Sequence, residues 1–129
     1  MNKIAMKRIY EKAEKDDGLR ELVDRLWPRG VSKESAKITL WMKGVTPSTE
    51  LRSWFHKDAA DRFSEFEKRY TKELSGSKDI IELRKIIKKQ PRATLVTAVK
   101  DIEHSHVPAL IKKLGISINY NKLTKATKK

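Results

Sequence analysis

The run Ala93-Thr94-Leu95-Val96-Thr97-Ala98-Val99 constrains the fold more than any other feature of this chain. It is short, carries no charge, and four of its seven residues are β-branched. Such side chains are stiff at χ1 and crowd a helix, but they pack well on a pleated surface. Residues 93–99 therefore read as a strand. The patterns on either side are helical. Upstream, residues 79–89 bring Ile80, Leu83 and Ile87 to one stripe beside Ile81 and Ile86, and Pro91 stops the helix. Downstream, residues 105–114 tolerate Pro108 in the first turn, end on Lys112-Lys113 and place Gly115 at the C′ position. A strand held between amphipathic helices points to an α/β sandwich with a mainly parallel sheet.

The other segments fit the same plan. Residues 3–10 interleave apolar and charged side chains as a first strand, and the loop from Glu11 closes on the turn pair Asp17-Gly18. Residues 19–27 read as a second strand. There Leu22 and Leu26 alternate with Val23 and Trp27, so both faces are apolar, as in a sheet covered on two sides, and Pro28 ends the ladder. Ser32 can cap a short helical turn with Glu34 early in it, and residues 38–45 carry Leu40, Trp41 and Met42 as a third strand. Ser48 and Glu50 open a short helix over 49–55. Asp58 can cap a longer helix in which Phe63, Phe66, Tyr70 and Leu74 share one stripe. Ile116, Ile118 and Tyr120 alternate and can add an edge strand. The expectation is one α/β domain over residues 1–118, with four to five strands flanked by helices. A basic, flexible tail over 119–129 follows, in which Lys122, Lys125, Lys128 and Lys129 face no acid.

A chain of 129 residues can bury a core without staples. It has no cysteine, which excludes thiolate nucleophiles, zinc ribbons, iron–sulfur clusters and disulfides. No stretch approaches the ~18 apolar residues of a membrane helix, and Met1-Asn2-Lys3-Ile4 opens no signal peptide. A cytoplasmic location without membrane contact is expected. Thirty Lys and Arg against seventeen Asp and Glu give a net charge of +13, which favours anionic partners, either a small molecule or nucleic acid. A diffuse lysine surface that only keeps the chain in solution accounts for the same number.

In parallel α/β sheets, ligands sit beyond the carboxyl ends of the strands. That rule selects two loops. In Asp24-Arg25-Leu26-Trp27-Pro28-Arg29-Gly30, one carboxylate and two guanidiniums follow the second strand. Arg25 and Arg29 can grip an anion, Trp27 can wall a pocket, and Gly30 lets backbone approach a ligand closely. An Asp24 that merely pins a turn is the competing reading. In Lys100-Asp101-Ile102-Glu103-His104-Ser105-His106, the strand passes into the last helix. The backbone N–H groups there, with Lys100, attract phosphate or carboxylate. His104 and His106 are candidate acid–base groups alongside Asp24, with Asp101 and Glu103 as further ligand contacts. The competing reading has one histidine cap the helix while the other packs on the sheet. Glu103, His104 and His106 are the residues a metal would use, but their spacing is no specific metal signature. Trp41, Trp54 and Phe55 can stack a base or fill the core. No Walker loop, G-x-G-x-x-G, G-x-S-x-G or H-E-x-x-H occurs, and no cofactor is expected.

The run Leu22-Val23-Asp24-Arg25-Leu26-Trp27-Pro28-Arg29-Gly30-Val31-Ser32 resembles the hallmark of the YeaO-like proteins, which carry domain of unknown function 488. The resemblance continues in Leu40-Trp41, in Val45 with Pro47-Ser48-Thr49-Glu50-Leu51-Arg52 and Trp54-Phe55, and in Lys100-Asp101 with Glu103-His104 and His106. It covers nearly the whole chain to about Leu114. It implies that both loops carry the family's signature, but it implies no settled activity. More distant members place cysteines at the positions of Thr97 and Ser105, so their thiol chemistry does not carry over. The methyltransferase label that some members bear finds no cofactor loop here.

Three functions compete. The crevice could bind a phosphorylated or carboxylated ligand, with hydrolase- or transferase-type acid–base chemistry as an extension. The chain could instead hold nucleic acid on a wide basic face that includes Lys85, Lys88, Lys89 and Arg92. A protein-interaction domain without catalysis is the third, and it predicts an exposed apolar patch.

Overall fold

The computed structural model describes residues 3–118. In chain order the elements are β1 (Lys3–Arg8), β2 (Leu19–Leu22), α1 (Lys33–Ala36), β3 (Leu40–Trp41), α2 (Thr49–His56), α3 (Ala59–Ser75), α4 (Lys78–Lys88), β4 (Ala93–Thr97), α5 (His106–Leu114) and β5 (Ser117–Ile118). The strands form one sheet in the order β3-β2-β4-β1-β5. Every pairing is parallel, and β4 lies between β1 and β2 with Ala93 opposite both Ile4 and Leu19. The run that dominated the sequence is thus the middle of the sheet, and all five of its strand residues are buried.

The two sheet faces are covered differently. Alternation sends Ile4, Met6, Val23 and Leu95 to one face, where they pack with Leu51, Phe55, Phe66, Tyr70, Leu83 and Leu110 from α2, α3, α4 and α5. On the other face a smaller cluster joins Ile9, Leu22 and Val96 to Ala36 of α1, with Trp27, Val31 and Trp41 against it. Beside that cluster the cover is ionic. The Asp17 carboxylate accepts from Lys7 Nζ at 3.2 Å and from Arg20 Nη1 at 2.6 Å, and all three side chains are buried. Thr94 Oγ1 donates to the Asp17 carbonyl. The loop can fold back this tightly because Gly18 has φ 66°, and a Cβ there would meet the Arg92 carbonyl.

Several elements are shorter than their sequence patterns. β2 stops at Leu22 rather than at 27, and Leu26 is 67% exposed instead of lying in a ladder. β3 spans only Leu40–Trp41, because Lys43–Val45 turns as a 3₁₀ helix. Asp58 occupies the N-cap position of α3 without making a side-chain cap bond, whereas Ser32, Ser48 and Ser105 do cap α1, α2 and α5. The basic tail of 119–129, with Tyr120, lies outside the described residues.

Glu21 is the one fully buried carboxyl on the helix-covered face. Its Oε2 accepts from Met42 N at 3.2 Å, while Oε1 has no partner. Desolvation pushes its pKa up to about 8, so the side chain is neutral at pH 7. Between the ordinary carboxyl range and pH 8 the folded chain keeps a proton that the unfolded chain has lost. Stability therefore falls as pH rises through that window. Glu21→Gln should remove this slope and raise stability at pH 8 by roughly 4 kcal/mol, with little change near pH 4.5. Urea unfolding of both proteins across this range measures the difference, and parallel pH profiles would contradict the assignment.

Candidate functional site

The site begins where β2 ends. Val23 N still pairs with Val96 O in the ladder at 3.0 Å. One residue later the Asp24 side chain takes over the bonding. Its Oδ1 accepts from Thr97 Oγ1 at 2.6 Å and its Oδ2 from Ala98 N at 2.8 Å. Asp24 O accepts from Trp41 Nε1 at 2.7 Å, which ties the turn to β3. From the far side α5 closes the junction, since His106 Nε2 lies 2.7 Å from Val23 O. A carbonyl can only accept, so this imidazole carries its proton on Nε2.

Beyond this junction lies a cavity of about 360 Å³. Leu26, Trp27 and Pro28 form one wall; Pro47, Phe55 and Phe66 form a second, with Ala98 and Val99 between them. The polar groups on it are Asp24, Arg25, Arg52, His56, His104 and His106, with Ser105 between the last two. Ser105 is buried and its hydroxyl is engaged twice, donating to Ile102 O at 2.6 Å and accepting from Val107 N at 3.2 Å. Thr97 Oγ1 is likewise engaged, donating to Asp24 and accepting from Val99 N. Neither hydroxyl is placed as a free nucleophile.

The electrostatics follow from these bonds. Desolvation holds His106 below the ordinary imidazole range, against the opposing pull of Asp24, whose Oδ1 is 3.7 Å away. The Arg52 charge works in the same direction as burial. The His106 ring also packs edge-on against Tyr70, whose hydroxyl donates to Val45 O and is pushed up by its own burial. Arg25 directs its guanidinium to backbone, with Nε 3.2 Å from Pro47 O and an Nη 3.5 Å from Thr46 O. Arg52 differs: its guanidinium has no hydrogen-bond or ion-pair partner among the described residues. A carboxylate or phosphate oxygen would supply one.

The sequence-selected residues divide accordingly. Asp24, Arg25, Trp27, His104 and His106 converge on the cavity. Arg29, Gly30, Lys100, Asp101 and Glu103 are exposed and do not line it. Gly30 turns at φ 75° with open space around it. Asp101 acts through its neighbour, accepting from His104 Nδ1 at 2.8 Å on the exposed rim, where His104 also meets the edge of Phe63. Glu103 does not join His104 and His106 on the cavity, and among the described residues no three such donors gather to hold a metal ion. The aromatic residues serve packing: Phe55 stacks on Phe66 at 4.2 Å, Trp41 meets the edge of Trp27, and Trp54 lies under Arg62 and Arg69. Arg52, His56 and Pro47 were missed. Pro47 precedes α2 while Arg52 and His56 lie on it, and only tertiary contact brings this segment to the strand ends.

The layered parallel sheet and its strand-end cavity define a single α/β crevice domain. The chain belongs to the YeaO-like family with domain of unknown function 488, and its residues 3–128 match the family model described as the inactive DUF488-N3 subclade. It is 43% identical over 108 residues to the uncharacterized protein YeaO of Escherichia coli, covering 83% of this chain and 92% of that one. It is 41% identical over 113 residues to an uncharacterized protein of Mycobacterium tuberculosis, covering 88% and 94%. No solved structure matches the chain. Among the described residues, no helix is long and apolar enough to cross a membrane.

If the Asp24 carboxylate holds the strand ends together, Asp24→Ala should destabilise the fold by about 3 kcal/mol, because it strands the Thr97 hydroxyl and the Ala98 N–H. Asp24→Asn, which keeps one acceptor, should lose roughly half as much. Chemical denaturation decides this, and an Ala variant as stable as the parent would remove the carboxylate from the scaffold.

Proposed function

We propose that this chain is a binding module for a small anionic ligand, carboxylated or phosphorylated, seated in the strand-end cavity. The observation that carries the reading is Arg52, a guanidinium without a partner on a mostly apolar wall. The side chain is half-buried with its guanidinium in reach of solvent, and a bidentate anion would give it the paired, charge-assisted bonds that the protein itself does not. Arg25 adds a second positive group to the same wall. Binding is favoured over turnover because Asp24, Thr97 and Ser105 have their polar atoms engaged in the scaffold and His106 spends its Nε2 proton on Val23 O. His104 at the rim, oriented by Asp101, is the remaining carrier for the acid–base chemistry that the sequence suggested. The family description as an inactive subclade supports the same preference.

A nucleic-acid role rests on a different observation, the net charge of +13. The two readings separate in one experiment. Titrating the ¹⁵N-labelled chain with benzoate and with phenyl phosphate should shift amides within 23–28, 52–56 and 98–106. Arg52→Gln should weaken this binding about 10-fold or more, the worth of one charge-assisted contact. A short RNA whose shifts spread over α4 and vanish at raised salt would mark only diffuse charge. RNA shifts confined to a basic face and surviving moderate salt, with no response of the cavity to either small anion, would overturn the proposal.

A further inference from the structure

The composition of the cavity wall narrows the ligand further, on the basis of the anion-binding reading above. We infer that the site takes an organic monocarboxylate with a compact apolar body, and that it discriminates against phosphate esters. The charge count comes first. Arg52 is the one guanidinium on this wall with no partner among the described residues, while Arg25 already donates to the carbonyls of Pro47 and Thr46. Lys100 and Arg29, which would be needed to balance a second negative charge, do not line the cavity. The Asp24 carboxylate, fixed by two donors, lines the same cavity. A phosphate monoester carries about −1.5 to −2 at neutral pH. Arg25 keeps its charge while donating to neutral carbonyls, so Arg25 and Arg52 against Asp24 leave the lining one net positive charge, which a phosphate monoester would exceed. A carboxylate brings one charge and the planar geometry that a guanidinium grips in a fork.

The backbone gives no substitute for the missing cations. Phosphate sites in α/β folds draw on free N–H groups at a glycine-rich turn or a helix start. Here the opening of α5 is already capped, since Ser105 Oγ accepts from Val107 N. Gly30, the glycine of the neighbouring loop, stands away from the cavity.

The rest of the wall defines the ligand's body. Leu26, Trp27, Pro28, Phe55 and Val99 offer apolar surface around a volume of about 360 Å³, near the small end of the ~300–1,000 Å³ range of ligand sites. Leu26 is 67% exposed on this rim, an apolar side chain placed where a ligand would cover it. The imidazoles of His56 and His104 can add one hydrogen bond each to the carboxylate or its substituent.

The test compares three matched probes on the whole ¹⁵N-labelled chain: 3-phenylpropanoate, its neutral amide 3-phenylpropanamide, and 2-phenylethyl phosphate. The carboxylate should give saturable shifts at Arg52, Phe55, Trp27 and Val99. The amide and the phosphate should each bind at least ~10-fold more weakly. Arg52→Gln should erase the advantage of carboxylate over amide, and Arg52→Lys should restore part of it. In all variants the unperturbed remainder of the spectrum reports the intact fold. Phosphate binding as tight as the carboxylate or tighter would overturn the inferred class and leave an anion site standing. Equal binding of carboxylate and amide would overturn charge recognition altogether. Silence of the cavity towards both anions would overturn the site itself.

Discussion

The arrangement depends on one junction, in which the carbonyls of Val23 and Asp24 and the Asp24 carboxylate bind three other elements at the point where β2 stops. His106 of α5 donates to the carbonyl; Thr97 and Ala98 at the end of β4 donate to the carboxylate; Trp41 of β3 donates to the Asp24 backbone. A strand running on past Leu22 would have used those groups in a ladder. Replacing ladder bonds with side-chain bonds satisfies the buried polar groups while releasing the chain from the sheet. The loop that follows can then swing away and leave space over the strand ends.

That same junction sets the chemistry of the space it creates. A carboxylate with a donor on each oxygen and an imidazole donating to a backbone carbonyl make a poor acid–base pair, because both are held for structure. The residues that look most catalytic in the sequence thus build the wall, and the guanidinium left without a partner among the described residues is that of Arg52 from a separate helix. Its guanidinium lies near enough to His106 to help keep that ring neutral. The cavity combines a rigid floor, one open positive charge and an apolar rim, which suits recognition.

Much of the fold was legible because the signals were local. The β-branched run at 93–99 marked the central strand, Ser48 and Ser105 marked helix starts, and the Phe66–Tyr70–Leu74 stripe marked the long helix. What misled was β2: the apolar alternation through Leu26 and Trp27 continues past the point where Asp24 breaks the ladder, and periodicity cannot register a side chain replacing a backbone partner. The buried Lys7–Asp17–Arg20 network was invisible for a related reason, since interleaved charges on a strand read as solvent-facing. Of the candidate site, the two loops were legible through the rule of parallel strand ends. Arg52 was not, because α2 is brought to the strand ends by packing on α3, a tertiary fact without a local pattern. Lys100 and Glu103 show the reverse error, with suggestive chemistry on side chains that face solvent.

The junction can be read directly at His106. A long-range ¹H–¹⁵N correlation spectrum of the labelled chain distinguishes the neutral tautomers from imidazolium. Because burial holds this ring below the ordinary value of about 6.5, it should be mostly neutral, with the proton on Nε2, at pH 6.5, where a free imidazole is half charged. The unfolded chain binds a proton there as pH falls, so the stability contributed by the neutral ring is present above about pH 6.5 and is lost towards acid. A mostly neutral Nε2–H tautomer at pH 6.5 is the predicted result. A proton on Nδ1 alone would mean that His106 does not hold Val23, and a mainly imidazolium ring would contradict the desolvation of the junction.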